Sequence, residues 1–136
     1  MIYPALALVF LTFVVWLHMY FVRLSQMHKH GIGPEEMSAF NRNLPRSIMT
    51  SGDNLRNLFE MPILFYFATS VIIFSDRADS IFLAISWAFV LLRYLHSIIH
   101  LSYNRVAHRF VVYALSSFIL WAIWFRYSWL LLGQQH

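Results

Sequence analysis

Four apolar runs separated by polar punctuation set the plan of the chain. The first, IYPALALVFLTFVVWLHMYFV, covers residues 2–22 with one strongly polar side chain, His18. A hydrocarbon core of about 30 Å is crossed by about 20 apolar residues in a helix, so this run predicts a membrane span. It has neither a basic n-region nor a small-residue cleavage site, and reads as an anchor, not a removed signal peptide. His18, near its end, reads as interfacial. Residues 23–53 are polar and are expected to form a long loop; Gly31, Gly33 and Pro34 end the first helix. Within that loop Pro34-Glu35-Glu36 has the makings of a short helix, with proline in the first turn and acids near the positive end. The second helix is predicted over 54–75, capped by Ser51 or Asp53. Its opening turns, DNLRNLFE, are polar before MPILFYFATSVIIF enters the membrane, and Pro62 sits early enough for a kink to be tolerated. Asp76-Arg77-Ala78-Asp79 is a turn. The third helix is expected over 80–101, a tight link over 102–107 and the fourth helix over 108–132, ahead of a polar tail, GQQH.

Composition fits an integral membrane protein of the all-α class, a four-helix bundle in one domain. Of 136 residues, 60% are hydrophobic and only 12% charged, where a soluble domain carries roughly 25% charged residues. The net charge is +4, but the arginines are spread among apolar runs and form no stripe, which argues against nucleic acid. Their distribution reads as topology. Arg23, Lys29, Arg42 and Arg46 put the 23–53 connection on the cytoplasmic side, the turn at 76–79 with its one basic residue suits the outer side, and both termini then lie outside. Trp16, Trp87, Trp121, Trp124 and Trp129 read as packing residues and interfacial anchors, with Arg126 snorkelling to the outer interface among aromatics. Cysteine is absent, so disulfides, a protein thiolate and Cys-bound metals are excluded. Any thiol chemistry must come from a ligand.

One stretch breaks the apolar pattern. RYLHSIIHLSYNRVAHRFVVY, residues 93–113, holds three arginines, three histidines and three tyrosines between strongly apolar flanks. At helical spacing Arg93, His96 and His100 share one face, as do Arg105, Arg109 and Tyr113. The polar start of the second helix adds Arg56, Asn57 and Glu60 at the same level. Arg56 and Glu60 are spaced as an i, i+4 ion pair worth a few tenths of a kcal/mol, yet Glu60 abuts Met-Pro-Ile-Leu-Phe and, with Asn57, reads as buried. Charges at membrane depth normally face a bundle interior or a wet cavity. The cluster therefore surrounds an anionic ligand, lies at a subunit interface, or both. His96 and His100 also have the i, i+4 spacing of two metal ligands. Without cysteines or further carboxylates, and flanked by arginines that repel a cation, they make a weak metal or haem motif, and no metal site is expected.

These residues resemble the MAPEG family, the membrane-associated proteins of eicosanoid and glutathione metabolism. The likeness covers essentially the whole chain and is nearest to the prostaglandin E synthase and microsomal glutathione transferase branch. The family pattern Arg-Asn-x-x-Glu is matched by Arg56, Asn57 and Glu60. Its Arg-x-x-His followed by Arg-x-x-x-Arg-x-x-x-Tyr is matched in register by Arg93, His96, Arg105, Arg109 and Tyr113. The resemblance implies a homotrimer with glutathione as co-substrate, bound between neighbouring subunits near the cytoplasmic face. It implies that Arg109 stabilises the glutathione thiolate and that Arg23, Arg56, Asn57, Glu60, Arg93, His96, His100, Arg105 and Tyr113 contact the ligand. The chemistry suits the residues: guanidiniums pair with carboxylates in bidentate fashion, and a cation beside a thiol raises its thiolate fraction. A lipid-facing cleft would deliver an apolar electrophile. The compact form resembles a bacterial member, which places it in the inner membrane.

The chain departs from that pattern at Asp53, where the eukaryotic synthases tend to carry a basic residue, and at His100, where a ligand-contacting tyrosine is expected. Both departures favour an alternative, a non-catalytic protein of the same fold that binds a lipid headgroup or another anion.

Overall fold

The computed structural model describes residues 1–31, 33 and 45–133. They form four helices: α1 (Ile2–His30), α2 (Arg46–Phe74), α3 (Ser80–Leu101) and α4 (Val106–Leu132). Each is long and apolar enough to cross a membrane. The suggested helix at Pro34–Glu36, Arg42 and tail residues 134–136 lie outside the described residues.

The connection between the first two helices is shorter than the 23–53 loop expected from polarity. RLSQMHKH holds no helix breaker, so α1 runs on through it, ending in His28, Lys29 and His30, cations that complement the negative end of the helix dipole. Gly31 then stops it in the left-handed conformation, φ 62°, which glycine adopts without the usual Cβ penalty. Likewise α2 starts after Pro45. Ser51 and Asp53 thus lie inside the helix and cap nothing; the Ser51 hydroxyl donates instead to the Ile48 carbonyl at 3.0 Å. Polarity marked where the apolar span ends, not where the helix ends.

Helix α3 packs most extensively on α4, and α1 on α2, with α2 and α3 also in contact; α1 and α4 do not touch. The core is a column of apolar side chains: Leu8 and Val15 of α1, Leu58, Phe65 and Ile72 of α2, Phe82 and Phe89 of α3, Leu120 and Ile123 of α4. At its centre Phe65 stacks on Phe89, ring centroids 4.7 Å apart. The outward faces are just as apolar, exposing Phe10, Phe67, Phe118 and Trp129. Water would not tolerate so continuous a coat, whereas lipid does. With four spans, this makes the chain an integral membrane protein.

Arg126 does more than snorkel. Its guanidinium meets the Asp79 carboxylate at 2.5 Å and lies 4.0 Å from the centroid of the Phe82 ring. Asp79 also caps α3, its Oδ1 accepting from the Phe82 N–H at 2.8 Å. The neighbouring Arg77 donates to the Leu130 carbonyl at 3.0 Å, so the α2–α3 turn is tied to the far end of α4 twice. The Phe82 N–H, and then Arg126, hold the Asp79 carboxyl below the usual carboxylate range. A depressed folded pKa gives stability that is present above the unfolded value of about 3.9 and is lost as pH falls through the folded value. In detergent unfolding titrations, the midpoint should fall as pH drops below about 4. The Asp79→Asn variant should start lower and lose that part of the acid dependence; an unchanged profile would show the clasp to be energetically idle.

Candidate functional site

The polar cluster is built on the end of α3. Helical spacing turns Arg93, His96, Ser97 and His100 inward, and all four are buried. Arg93 is fully buried and donates from Nη2 to the backbone carbonyl of Asn57 on α2, while its Nε and Nη1 have no partner among the described residues. Its guanidinium carbon lies 5.3 Å from the centroid of the Tyr113 ring of α4, a cation–π contact. His96 packs against Tyr113, ring centroids 5.9 Å apart. Arg109, half-buried one turn before Tyr113, donates from Nη1 to Asn104 Oδ1 at 2.8 Å and keeps a buried Nε without a partner.

Asn57, His96, Arg109 and Tyr113 line one open cavity of about 220 Å³, with the exposed Val106 and Phe110 on its apolar side. Three helices thus bring together four of the residues singled out in the sequence, with Arg93 reaching from α3 to the backbone of Asn57 and the ring of Tyr113. Buried guanidinium N–H groups without a partner among the described residues suit an anionic ligand.

The remaining sequence candidates lie outside the lining of that cavity. His100 is buried and neither ring nitrogen has a partner, but it lines a different cavity, at the end of the bundle. Glu60 and Arg56 are exposed, contrary to the buried position expected for Glu60, although the Glu60 carboxylate still reaches Tyr113 and acts on Arg93 from the rim. The reason is rotational: the buried stripe of α2 runs through Asn54, Leu58, Phe65 and Ile72, and positions two residues either side of Leu58 fall about 200° away on the helix. The pair is not bridged either; the ion pair formed among the described residues is Arg126–Asp79. Arg105 is the exposed N-cap residue of α4. Arg23 is half-buried on α1, with its Nη2 3.7 Å from where a Cβ on Gly52 would lie. It therefore reaches α2, but not the 220 Å³ cavity. Among the described residues no group of three His, Asp or Glu side chains is placed to hold a metal ion.

Two residues went unnoticed in the sequence. Asn54 is fully buried, its Oδ1 accepting from Ser97 Oγ at 3.3 Å and its Nδ2 unpartnered. Only its i−3 relation to Asn57 hinted at it. Asn104 adopts φ 49° in the α3–α4 link, a conformation asparagine tolerates better than most residues, and so aims its side chain at Arg109.

Fold and site together define a polytopic α-helical membrane protein with a buried cationic cluster near one end of its bundle. The MAPEG family model matches residues 1–129, and the chain belongs to the MAPEG family. Comparison with curated proteins and with solved structures returns no match to either.

Proposed function

We propose that this chain is a glutathione-dependent transferase or peroxidase-like enzyme, related to the prostaglandin E synthase and microsomal glutathione transferase branch of its family. The observation that carries the reading is the convergence of Asn57, His96, Arg109 and Tyr113 on one cavity backed by Arg93, with guanidinium N–H groups free on both arginines. Arg93 and Arg109 supply charge for the carboxylates and thiolate of the tripeptide. Arg109 lowers the thiol pKa, the proton leaves to solvent, and the sulfur attacks an apolar electrophile, displacing a leaving group or adding across an activated double bond. An apolar groove of about 530 Å³ between α1 and α2, lined in part by Phe13, Trp16, Phe59 and Ile63, offers that compound a seat on the lipid side.

The active form is a homotrimer. The exposed Arg56, Glu60 and Arg105 and the half-buried Arg23 then meet ligand held between subunits, which is why a single chain leaves them outside the cavity. The basic residues on the 102–107 link and the α1–α2 connection put this end at the cytoplasmic face, with both termini outside and the inner membrane of a bacterium as the setting.

Calorimetry with reduced glutathione on detergent-purified protein tests the reading. Saturable binding with proton release near neutral pH is expected, and in Arg109→Ala the release should vanish. Absence of heat at millimolar glutathione would rule the reading out. A second reading, a non-catalytic protein holding a lipid headgroup or another anion in the same cavity, is favoured by one observation: Arg109 already spends Nη1 on Asn104. It predicts anion binding without proton release.

A further inference from the structure

The end cavity that contains His100 has no part in the chemistry proposed above. It measures about 460 Å³ and lies where α1, the start of α2 and the end of α3 meet. His18 of α1, Arg46, Ser47 and Thr50 of α2, His100 of α3 and Asn104 of the link contribute to its wall, which among the described residues contains no acidic side chain.

Its lining is cationic and neutral, and the acid that acts on His100, Asp53 of α2, stands outside that lining. Helix α2 opens into it with no side-chain cap and no acid in its first turn, so among the described residues nothing compensates the positive end of the helix. Such an end attracts anions, and the Arg46 guanidinium stands on the same turn. An independent observation points to a ligand. His100 is 1% exposed, and both ring nitrogens are buried without a partner. A buried imidazole with neither nitrogen bonded costs free energy that a hydrogen-bonding guest in the cavity it lines would recover. Hydroxyls from Ser47 and Thr50 add neutral donors.

We infer that this cavity is a second anion site, built for a phosphate group, free or as the headgroup of a membrane lipid. Donors reach it from three helices, and the three acceptor oxygens of a phosphomonoester answer them better than the two of a carboxylate. The site shares a wall with the smaller cavity. The His100 ring packs edge-on against His96 with centroids 5.7 Å apart, and Asn104 holds Arg109. An anion here would therefore bear on the two side chains that back the cationic cluster. The inference stands on this cavity alone and is read without glutathione.

Calorimetric titration with inorganic phosphate, and with nanodiscs containing phosphatidic acid against pure phosphatidylcholine nanodiscs, tests it. Saturable binding in the first arm identifies a free anion; saturation only with phosphatidic acid identifies a lipid headgroup. In either case Arg46→Gln, an exposed and structurally safe change, should weaken binding roughly tenfold to a hundredfold, the worth of a charge-assisted hydrogen bond. His100→Phe should weaken it too, whereas Arg109→Ala should retain it. No binding in both arms would overturn the inference. So would wild-type affinity in both Arg46→Gln and His100→Phe, or loss in Arg109→Ala with retention in Arg46→Gln, which would return the anion to the smaller cavity.

Discussion

Arg93→Met is expected to leave the bundle as stable as before, or more stable, while weakening glutathione binding at least about tenfold, the value of one lost charge-assisted contact. Among the described residues Arg93 is the largest fully buried side chain, yet it makes one hydrogen bond, to the Asn57 carbonyl, and no ion pair. Burying a charge costs several kcal/mol, and the Glu60 carboxylate answers it only through space, with no ion pair formed between the two side chains. Methionine fills similar space with an unbranched, adaptable chain, so the fold loses one hydrogen bond and one cation–π contact and sheds the desolvation cost. The midpoint of an unfolding titration in dodecyl sulfate and calorimetry with glutathione, on the same preparation, read the two effects separately. A large fall in stability with unaltered binding would make Arg93 a structural residue and remove it from the site.

Phe65→Ala should produce the largest loss of stability. The ring is fully buried and stacked on Phe89 in the middle of the column joining α2 and α3. The magnitude differs from that in a water-soluble core. Lipid is as apolar as the core, so helix association draws on packing and not on transfer from water. What remains is the void: a ring-sized cavity of roughly 100 Å³, at about 24 cal/mol per Å³, gives about 2 kcal/mol. The same titration should show that loss, and Phe65→Leu should recover most of it. A neutral Phe65→Ala would mean that α2 and α3 are held together by the Arg93–Asn57 and Ser97–Asn54 bonds, not by the aromatic column.

The separation of polar from apolar cost shows what was legible in the linear chain. Four spans, their order and the turn at Asp79 followed from run length and punctuation, because a helix that crosses lipid must satisfy its own backbone and be apolar for about 20 residues. The inward face of α3 was legible too: Arg93, His96 and His100 lie at helical spacing within one element, and local periodicity fixes that relation. The ends of α1 and α2 were not. Polar sequence in RLSQMHKH and RSIMTSGD marks the edge of the membrane but continues the helix, so the connection is narrower than its polarity suggests.

The sequence by itself determined that this is a membrane-spanning all-α chain with a cationic level near one end of its bundle, and it named most of the side chains at that level. Only the tertiary structure decided which of them meet. Depth along a helix is a local property, but facing requires the rotation of each helix about its own axis, and that is set by packing partners distant in sequence. The stripe through Leu58 and Phe65 turns Arg56 outward and leaves Glu60 exposed at the rim beside Tyr113, while Asn57 lies beside Arg93. The left-handed turn at Asn104 brings Arg109 under its side chain. The early start of α2 sets an uncapped helix end beside His100, splitting what read as one cluster into two cavities.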